Sequence, residues 1–197
     1  SSGSSNKSFI EYAKKNKLQY VIGDEIDVLK RLIDGLNFIG ATDLFRVTSE
    51  SPFLHFEPIN RAWQNHINFN YDATFLDNII DGCGFEIITK KALNESWKKG
   101  EDKHRSEYCS LYIRENINIF KVVKLNCPKE LSRKDLRLTV DYPEDLIVCR
   151  EIFKQVLNEK ITTDYSINEI VRFLDKNQKL KDLIYPYCED GYTTMNL

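Results

Sequence analysis

The chain has 197 residues, of which 42% are hydrophobic and 29% are charged. This length and composition are typical of one ordinary globular domain, and they argue against a disordered chain. No run approaches the roughly 20 apolar residues that a transmembrane helix needs, so no membrane association is expected. Lys and Arg (28) nearly balance Asp and Glu (30), and therefore no overall charge favours binding to nucleic acid.

The cysteines are widely spaced and form no Cys-x-x-Cys pair. There are five of them, namely Cys83, Cys109, Cys127, Cys149 and Cys188. An odd number of scattered cysteines without a recognisable secretory signal is typical of reduced thiols, and it disfavours a zinc site or a disulfide framework. We therefore expect a cytoplasmic protein with free thiols.

Helical and strand patterns alternate after a small, polar start. Residues 1–8, SSGSSNKS, indicate a flexible linker or an artificial remnant, and a single domain is expected over residues 9–197. Apolar residues at helical spacing predict helices at 9–16, 25–40, 57–69, 90–100, 105–116, 143–153 and 166–177. Alternating or β-branched runs predict strands at 19–22, 43–48, 71–76, 84–89, 119–125 and 137–140.

Two of the predicted helices carry specific signals. The helix at 166–177 begins with a capping box of Ser166 and Glu169, and the helix at 25–40 has an apolar stripe on one face. The stripe consists of Ile26, Leu29, Leu32, Ile33 and Leu36. Such a stripe predicts a helix that packs against a core.

The repeated strand, helix, strand order predicts an α/β fold, with a mostly parallel sheet covered by helices on both faces. The section at about 77–130 departs from this order. We interpret it as an inserted, partly antiparallel segment that covers a site or pairs with a second subunit.

Two acids follow predicted strands. In an open α/β sheet, ligands bind beyond the carboxyl ends of the strands, and Glu50 and Asp141 lie at such positions. Two carboxylates on neighbouring strand ends can hold Mg²⁺, which prefers oxygen ligands and completes its shell with water and substrate phosphates. An acid directly before a helix is also a common N-cap, so spacing alone favours a structural role for Asp141.

A second polar cluster, EDKHRSEY, places Arg105 and Glu107 beside His104. Arg105 could bind an anionic sugar or a phosphate there, whereas a solvated helix start is the plainer interpretation. His55 and His66 stand alone in the sequence and are expected to be structural. No Gly-x-Ser-x-Gly motif supports a hydrolase triad.

The segment RLTVDYPEDLIVCREIF, which contains Asp141, resembles the Arg-x-Thr-Val-Asp-x-Pro-Glu-Asp-Leu signature of the cytidylyltransferases of surface polysaccharide synthesis. This is the spore-coat polysaccharide type, related to the acylneuraminate and 3-deoxy-manno-octulosonate cytidylyltransferases. Five further segments resemble family motifs in the same order: GDEIDVLKR, FRVTSESP, GCGFEIIT, RSEYCSLYI and EDGYTTMNL. The resemblance extends from about Phe9 to the end of the chain.

This resemblance implies a nucleotide-diphospho-sugar transferase (Rossmann-like) fold and transfer of CMP from CTP to a sugar or sugar acid. By position, Asp141 matches a metal-binding aspartate of the family and Glu50 stands at its other aspartate, so both are expected to hold a catalytic Mg²⁺. The resemblance also implies a homodimer formed through the insert. The substrate-binding residues that it implies are Arg46, Glu86, Arg105 and Glu107.

The sequence departs from the family pattern at three places. The family begins with a triphosphate-binding loop of the type Arg-x-Gly-Ser-x-Arg-x-Pro-x-Lys, and no such stretch occurs here. Glu50 replaces an aspartate, and Tyr108 stands where the family often has histidine. Two hypotheses follow: an N-terminally truncated CTP-dependent enzyme, or an inactive homologue that serves as a binding or dimerisation scaffold.

Overall fold

A computed structural model describes residues 6–189, which form nine helices and a sheet of four strands. The helices are α1 (Lys7–Lys15), α2 (Val28–Ile39), α3 (Ile59–Asn68), α4 (Lys90–Lys99), α5 (Asp102–Arg105), α6 (Leu111–Glu115), α7 (Pro143–Gln155), α8 (Ile167–Asp175) and α9 (Gln178–Ile184). The strands are β1 (Asp43–Arg46), β2 (Ala73–Phe75), β3 (Glu86–Thr89) and β4 (Val122–Lys124). The end of the EDGYTTMNL segment, residues 190–197, lies outside the described residues.

Local capping explains where the best-predicted helices begin and end. Asp27 caps α2 by accepting a hydrogen bond from the amide of Lys30, and Gly40 ends this helix in the left-handed conformation with φ of 69°. Ser166 and Glu169 form the predicted capping box at the start of α8. These signals lie within a few residues of the helix ends, so the sequence reveals them.

The predicted stripe of α2 is confirmed for Leu29, Ile33 and Leu36, which are buried. Leu32 is partly exposed. Ile26 is 84% exposed, because the helix begins after its cap at Asp27 and the side chain of Ile26 therefore precedes the packed face.

Three predicted elements are wrong. Residues 19–22 form no strand, and residues 137–140 form only an isolated parallel bridge between Arg137 and Asp81. The predicted helix at 105–116 is interrupted between α5 and α6. There the hydroxyl of Ser106 donates to the carbonyl of Lys103 and accepts from the amide of Tyr108, and such local bonds compete with the helix.

The sheet has the strand order β1-β3-β2-β4, and β3 runs antiparallel to β2. The amide of Thr89 donates to the carbonyl of Asp72, and the amide of Leu76 donates to the carbonyl of Phe85, both at 3.0 Å. Residue numbers therefore fall along β3 as they rise along β2, which defines an antiparallel pair.

The other two pairings complete a mixed sheet. The amide of Lys90 donates to the carbonyl of Thr42 at 2.7 Å, which places the end of β3 at the start of β1. Beside β2, the amide of Asp72 donates to Lys121 and the amide of Leu125 donates to Phe75, so β4 is parallel to β2. The predicted α/β fold is confirmed, and its one reversed strand lies in the predicted insert.

The chain divides into two compact units. The first unit contains residues up to Leu44, Tyr71–Ala73 and Ile87–Val122, and within it α2 packs against α4 and α5. Its apolar core includes Leu29, Ile33, Ile87, Ile88, Leu93 and Ile113. Between residues 6 and 189, no helix has the length and apolar character that are required to cross a membrane.

The second unit contains Phe45–Asn70, Thr74–Glu86 and the chain from Val123 onward. In this unit α9 packs against α7 and α8. The fully buried side chains include Phe75, Ile79, Ile80, Leu136, Leu138 and Ile152. The candidate metal acids Glu50 and Asp141 both belong to this unit.

Gly82 permits a close backbone approach in the second unit. Its φ is 87°, and a Cβ atom at this position would lie 2.6 Å from the carbonyl group of Leu138 and from the amide nitrogen of Thr139. A side chain would therefore meet both a strained backbone conformation and rigid neighbouring backbone. This explains why glycine is required in the GCGFEIIT segment.

We predict that Gly82→Ala lowers the free energy of unfolding by roughly 2–4 kcal/mol, through backbone strain and steric overlap. The matched control is Gly35→Ala in the middle of α2, where a Cβ atom would meet nothing within 4 Å. Because alanine is the better helix former, this control should raise the free energy of unfolding by about 0.5–1 kcal/mol. Urea unfolding of both variants measures the difference, and equal effects would contradict the role of Gly82.

Candidate active site

The loops that contain Glu50 and Asp141 are joined by backbone hydrogen bonding. The amide of Val140 donates to the carbonyl of Glu50 at 2.8 Å, and the hydroxyl of Thr139 lies 3.4 Å from the same oxygen. The segment before Asp141 therefore runs alongside Glu50, as expected for neighbouring chain ends at one edge of an α/β fold. The two segments that carry the candidate acids are therefore neighbours, although residues 137–140 are not a regular strand.

Asp141 is held by an arginine that precedes it by four residues. Nη2 of Arg137 donates to Oδ2 of Asp141 at 2.6 Å, and the side chain of Asp141 is 50% exposed. The carboxylate therefore has one face on the protein and one face in solvent.

Arg137 is buried, with 3% of its surface exposed, and three carboxylates surround it. Its Nη2 donates to Oδ2 of Asp145 at 3.1 Å. Its Nε forms an ion pair with Oδ1 of Asp145 at 3.0 Å, although these two atoms make no aligned hydrogen bond. Asp81 lies farther away, at 3.7 Å from Nη1. A buried guanidinium needs such partners, because an unpaired charge in the interior is very costly.

Asp145 is the acid that organises the start of α7. Its Oδ2 accepts hydrogen bonds from the amides of Asp141 and Tyr142, both at 3.0 Å. With 1% of its surface exposed, Asp145 satisfies amides that would otherwise lack partners at the helix start. The structural role that spacing suggested for Asp141 is therefore performed by Asp145, and the Asp141 side chain points partly into solvent.

Electrostatics in this cluster follow from burial. Burial raises the pKa of Asp81, while the nearby charge of Arg137 opposes this rise. For Arg137, burial lowers the pKa, but attraction to Asp145 and Asp81 outweighs it and leaves the pKa above its ordinary value. The guanidinium therefore stays charged.

The chain is similar to two curated proteins and to one solved structure, whereas no family model matches it. It is 34% identical over 161 residues to the uncharacterised protein MJ1063 of Methanocaldococcus jannaschii, covering 82% of this chain and 65% of that protein. It is 24% identical over 156 residues to the spore coat polysaccharide biosynthesis protein SpsF of Bacillus subtilis, covering 79% of this chain and 64% of SpsF. The chain thus spans just under two thirds of the length of these relatives.

The solved structure shares the fold. A cytidylyltransferase from Leptospira borgpetersenii superposes with a TM-score of 0.79 and 18% identity, over 91% of this chain and 75% of the other. The similarity to SpsF and the shared fold agree with the cytidylyltransferase resemblance that the sequence motifs indicated. The fold is that of a cytidylyltransferase.

In this cytidylyltransferase fold, two of the predicted substrate-binding residues pair with each other. Nη1 of Arg46 donates to Oε2 of Glu86 at 2.9 Å, and both side chains are largely buried. Beside them, the rings of Phe45 and Phe85 lie 5.1 Å apart between centroids. The ion pair therefore ties the end of β1 to the start of β3.

The other two predicted substrate-binding residues, Arg105 and Glu107, belong to the first unit. Nη2 of Arg105 donates to the carbonyl of Trp97 at 3.1 Å, and its guanidinium carbon lies 5.9 Å from the centre of the indole ring. Nη1 of Arg105 bonds to the exposed Asp102 at 3.0 Å. Glu107 is exposed.

Trp97 also contacts the GDEIDVLKR segment, which lies in the same unit. Its indole Nε1 donates to Oδ2 of Asp27 at 2.8 Å, while Oδ1 of Asp27 caps α2. Asp27 belongs to the GDEIDVLKR segment, so at least one acid of that segment has a structural partner 70 residues away.

The two lone histidines, which the sequence predicts to be structural, are both buried. His55 is buried, and burial lowers its pKa. His66 is buried as well, and its Nδ1 lies 2.8 Å from the hydroxyl of Thr74. The third histidine, His104, accepts from the amide of Glu101 through Nδ1 and contacts Glu115 through Nε2, so it also has a structural role.

Glu50 and Asp141 fit a magnesium ion by their chemistry. Both offer carboxylate oxygens, and half of the Asp141 side chain is open to solvent, from which Mg²⁺ takes its remaining water ligands. Among residues 6–189, no group of three or more His, Cys, Asp and Glu side chains has the arrangement of a metal site. Sequence reasoning missed Arg137, although a charged residue between the buried Leu136 and Leu138 was a visible signal.

We predict that Arg137→Met lowers the free energy of unfolding by about 3–5 kcal/mol, because the buried Asp145 would lose its oppositely charged partner. The control Arg150→Met removes an exposed arginine of α7 and should change stability by no more than about 0.5 kcal/mol. Chemical denaturation measures both.

The pH dependence provides a second check on Arg137. Without the guanidinium, nothing opposes the effect of burial on Asp81, so its folded-state pKa, already above the ordinary value, should rise further. Protonation then relieves the buried charge, so the deficit of the variant should shrink as the pH falls from 7 toward 4. A deficit that stays constant over this range would contradict the charge-based explanation.

Proposed function

We propose that this protein is a nucleotidyltransferase that transfers CMP from CTP to a sugar or sugar acid for surface-glycan synthesis. The observation that carries the proposal is the pair of acids, Glu50 and Asp141, on hydrogen-bonded segments of a cytidylyltransferase fold. The similarity to SpsF, a spore coat polysaccharide biosynthesis protein, supports the assignment to glycan synthesis.

The reaction is an in-line displacement at phosphorus. The sugar hydroxyl oxygen bonds to the α-phosphorus of CTP, while the bond from this phosphorus to the oxygen that bridges to the β-phosphate breaks. Pyrophosphate leaves with the electron pair, and the hydroxyl proton passes to solvent. Little covalent chemistry is left to the protein, so its work is positioning and charge stabilisation.

Different residues of the chain would serve the positioning and the charge stabilisation. Asp141 and Glu50 would hold Mg²⁺, and Arg137 and Asp145 fix the Asp141 backbone and carboxylate from the protein side. When bound there, Mg²⁺ supplies positive charge that neutralises the α-phosphate oxygens. Glu50 has one methylene more than an aspartate, so its carboxylate would approach the same ion on a longer side chain.

Further features of the proposal concern the sugar, the subunits and the compartment. Arg46, Glu86, Arg105 and Glu107 are proposed to contribute to the sugar site. The insert at 77–130 is proposed to form a homodimer, which light scattering of the purified protein measures. The reaction is assigned to the cytoplasm.

A second candidate function, an inactive scaffold, rests on the Arg137–Asp141 ion pair. An arginine on the candidate metal ligand competes with a cation for the same carboxylate. Calorimetric titration with CTP in the presence of Mg²⁺ separates the two functions, because tight binding contradicts the scaffold and supports the enzyme.

We predict that Asp141→Asn in the full-length native protein lowers pyrophosphate release from CTP and a suitable sugar acceptor by about 100-fold or more, because the metal ligand loses its charge. The control is Asp164→Asn, an exposed aspartate in a loop. A coupled pyrophosphate assay measures both variants. Full activity of Asp141→Asn would contradict the assignment of Asp141 as a metal ligand. The thermal stability of the variant shows whether its fold is intact.

A further inference from the structure

The chain after α9 returns to the loop that contains Asp141. Residues Tyr185–Tyr187 form a short 3₁₀ turn, and the ring of Tyr187 stacks on the ring of Tyr142. The two centroids are 4.0 Å apart, and the planes differ by 16°. Tyr142 directly follows Asp141, so the stack covers the residue next to the candidate metal ligand.

The backbone of Tyr187 contacts the same arginine that holds Asp141. Nη1 of Arg137 donates to the carbonyl of Tyr187 at 2.8 Å, while Nη2 of the same guanidinium donates to Asp141 at 2.6 Å. A guanidinium is planar and rigid, so one partner fixes the direction in which the other nitrogen points. The guanidinium carbon also lies 5.5 Å from the centre of the Tyr142 ring.

The turn itself is anchored independently of Asp141. Cys188 is 4% exposed, and its thiol lies 3.4 Å from the carbonyl of Ile184 in α9. The position of Tyr187 is therefore set by its buried neighbour Cys188, and Tyr187 can in turn hold the loop that contains Asp141.

We propose that Tyr187 is a positioning residue for Asp141: it holds Arg137 by its carbonyl and Tyr142 by its ring, and so fixes the carboxylate in the geometry that a divalent cation needs. This inference rests on the proposed function only in naming the cation. Asp145 bonds the amides of the loop from one side, and Tyr187 holds its side chains from the other. A functional carboxylate needs such support, because a site that is loose by about 1 Å loses its function.

Three variants of the full chain test the proposal. Tyr187→Ala removes the stack, Tyr187→Phe keeps the ring, and Tyr185→Ala removes a tyrosine of the same turn that is 67% exposed. Hydrogen exchange followed by mass spectrometry reports the opening of the backbone at residues 140–142, whose amides are hydrogen-bonded in the native protein. Electron paramagnetic resonance with Mn²⁺ alone as probe reports cation affinity, because Mn²⁺ shares the preference of Mg²⁺ for carboxylate oxygen.

Tyr187→Ala should speed exchange at residues 140–142 by about tenfold and weaken Mn²⁺ binding by about tenfold, the range seen for groups that orient metal ligands. Tyr187→Phe and Tyr185→Ala should match the original protein in both measurements. Unchanged exchange in Tyr187→Ala overturns the proposal. Faster exchange spread evenly over the second unit overturns it too, because Tyr187 would then only stabilise the fold.

The two measurements separate this inference from the proposed function. If the original protein binds no Mn²⁺, the metal assignment fails, and the role of Tyr187 in holding the loop is decided by exchange alone. If the original protein binds Mn²⁺ and Tyr187→Ala binds it equally well, Tyr187 does not position Asp141 and the inference fails while the proposed function stands.

Discussion

The buried guanidinium of Arg137 is the constraint on which the candidate active site depends. A charged group with 3% exposure is tolerated only where it is paired, and the chain meets this need with Asp145, Asp141 and Asp81. These partners come from the start of α7, from the loop before it and from the turn before Gly82. One charge therefore joins residues 137–145 to the turn that contains Asp81, which is more than 50 residues earlier in the chain.

This pairing requires an unusually close approach of backbone to backbone. Leu138 donates its amide to the carbonyl of Asp81 at 2.7 Å, and the chain at Leu138 and Thr139 passes so near Gly82 that no Cβ atom fits between them. The glycine therefore belongs to the same arrangement as the arginine. It lets Asp81 approach Arg137, and it leaves Val140 in place to bond with the carbonyl of Glu50.

Asp141 is both paired with a buried arginine and open to solvent. It is a partner of Arg137, yet half of its side chain faces solvent, in contrast to Asp145, which is completely enclosed. The enclosed acid satisfies backbone amides and balances the arginine. The half-exposed acid is open to solvent on one side, where the proposed cation would bind, so burial distinguishes the structural acid from the candidate metal ligand.

By itself, the sequence determined the features that depend on short-range patterns. Apolar spacing and caps locate α2 and α8, alternation locates the four strands approximately, and the position of Glu50 and Asp141 after predicted strands marks the candidate site. The six motif-like segments also predicted the cytidylyltransferase fold that the structure has. Only the tertiary structure decided that residues 137–140 form an isolated bridge instead of a regular strand, that Asp145 rather than Asp141 caps α7, and that Tyr187 stacks on Tyr142. Burial, pairing of charges and ring stacking join residues that are far apart in the chain, and periodicity within a short window carries no information about them.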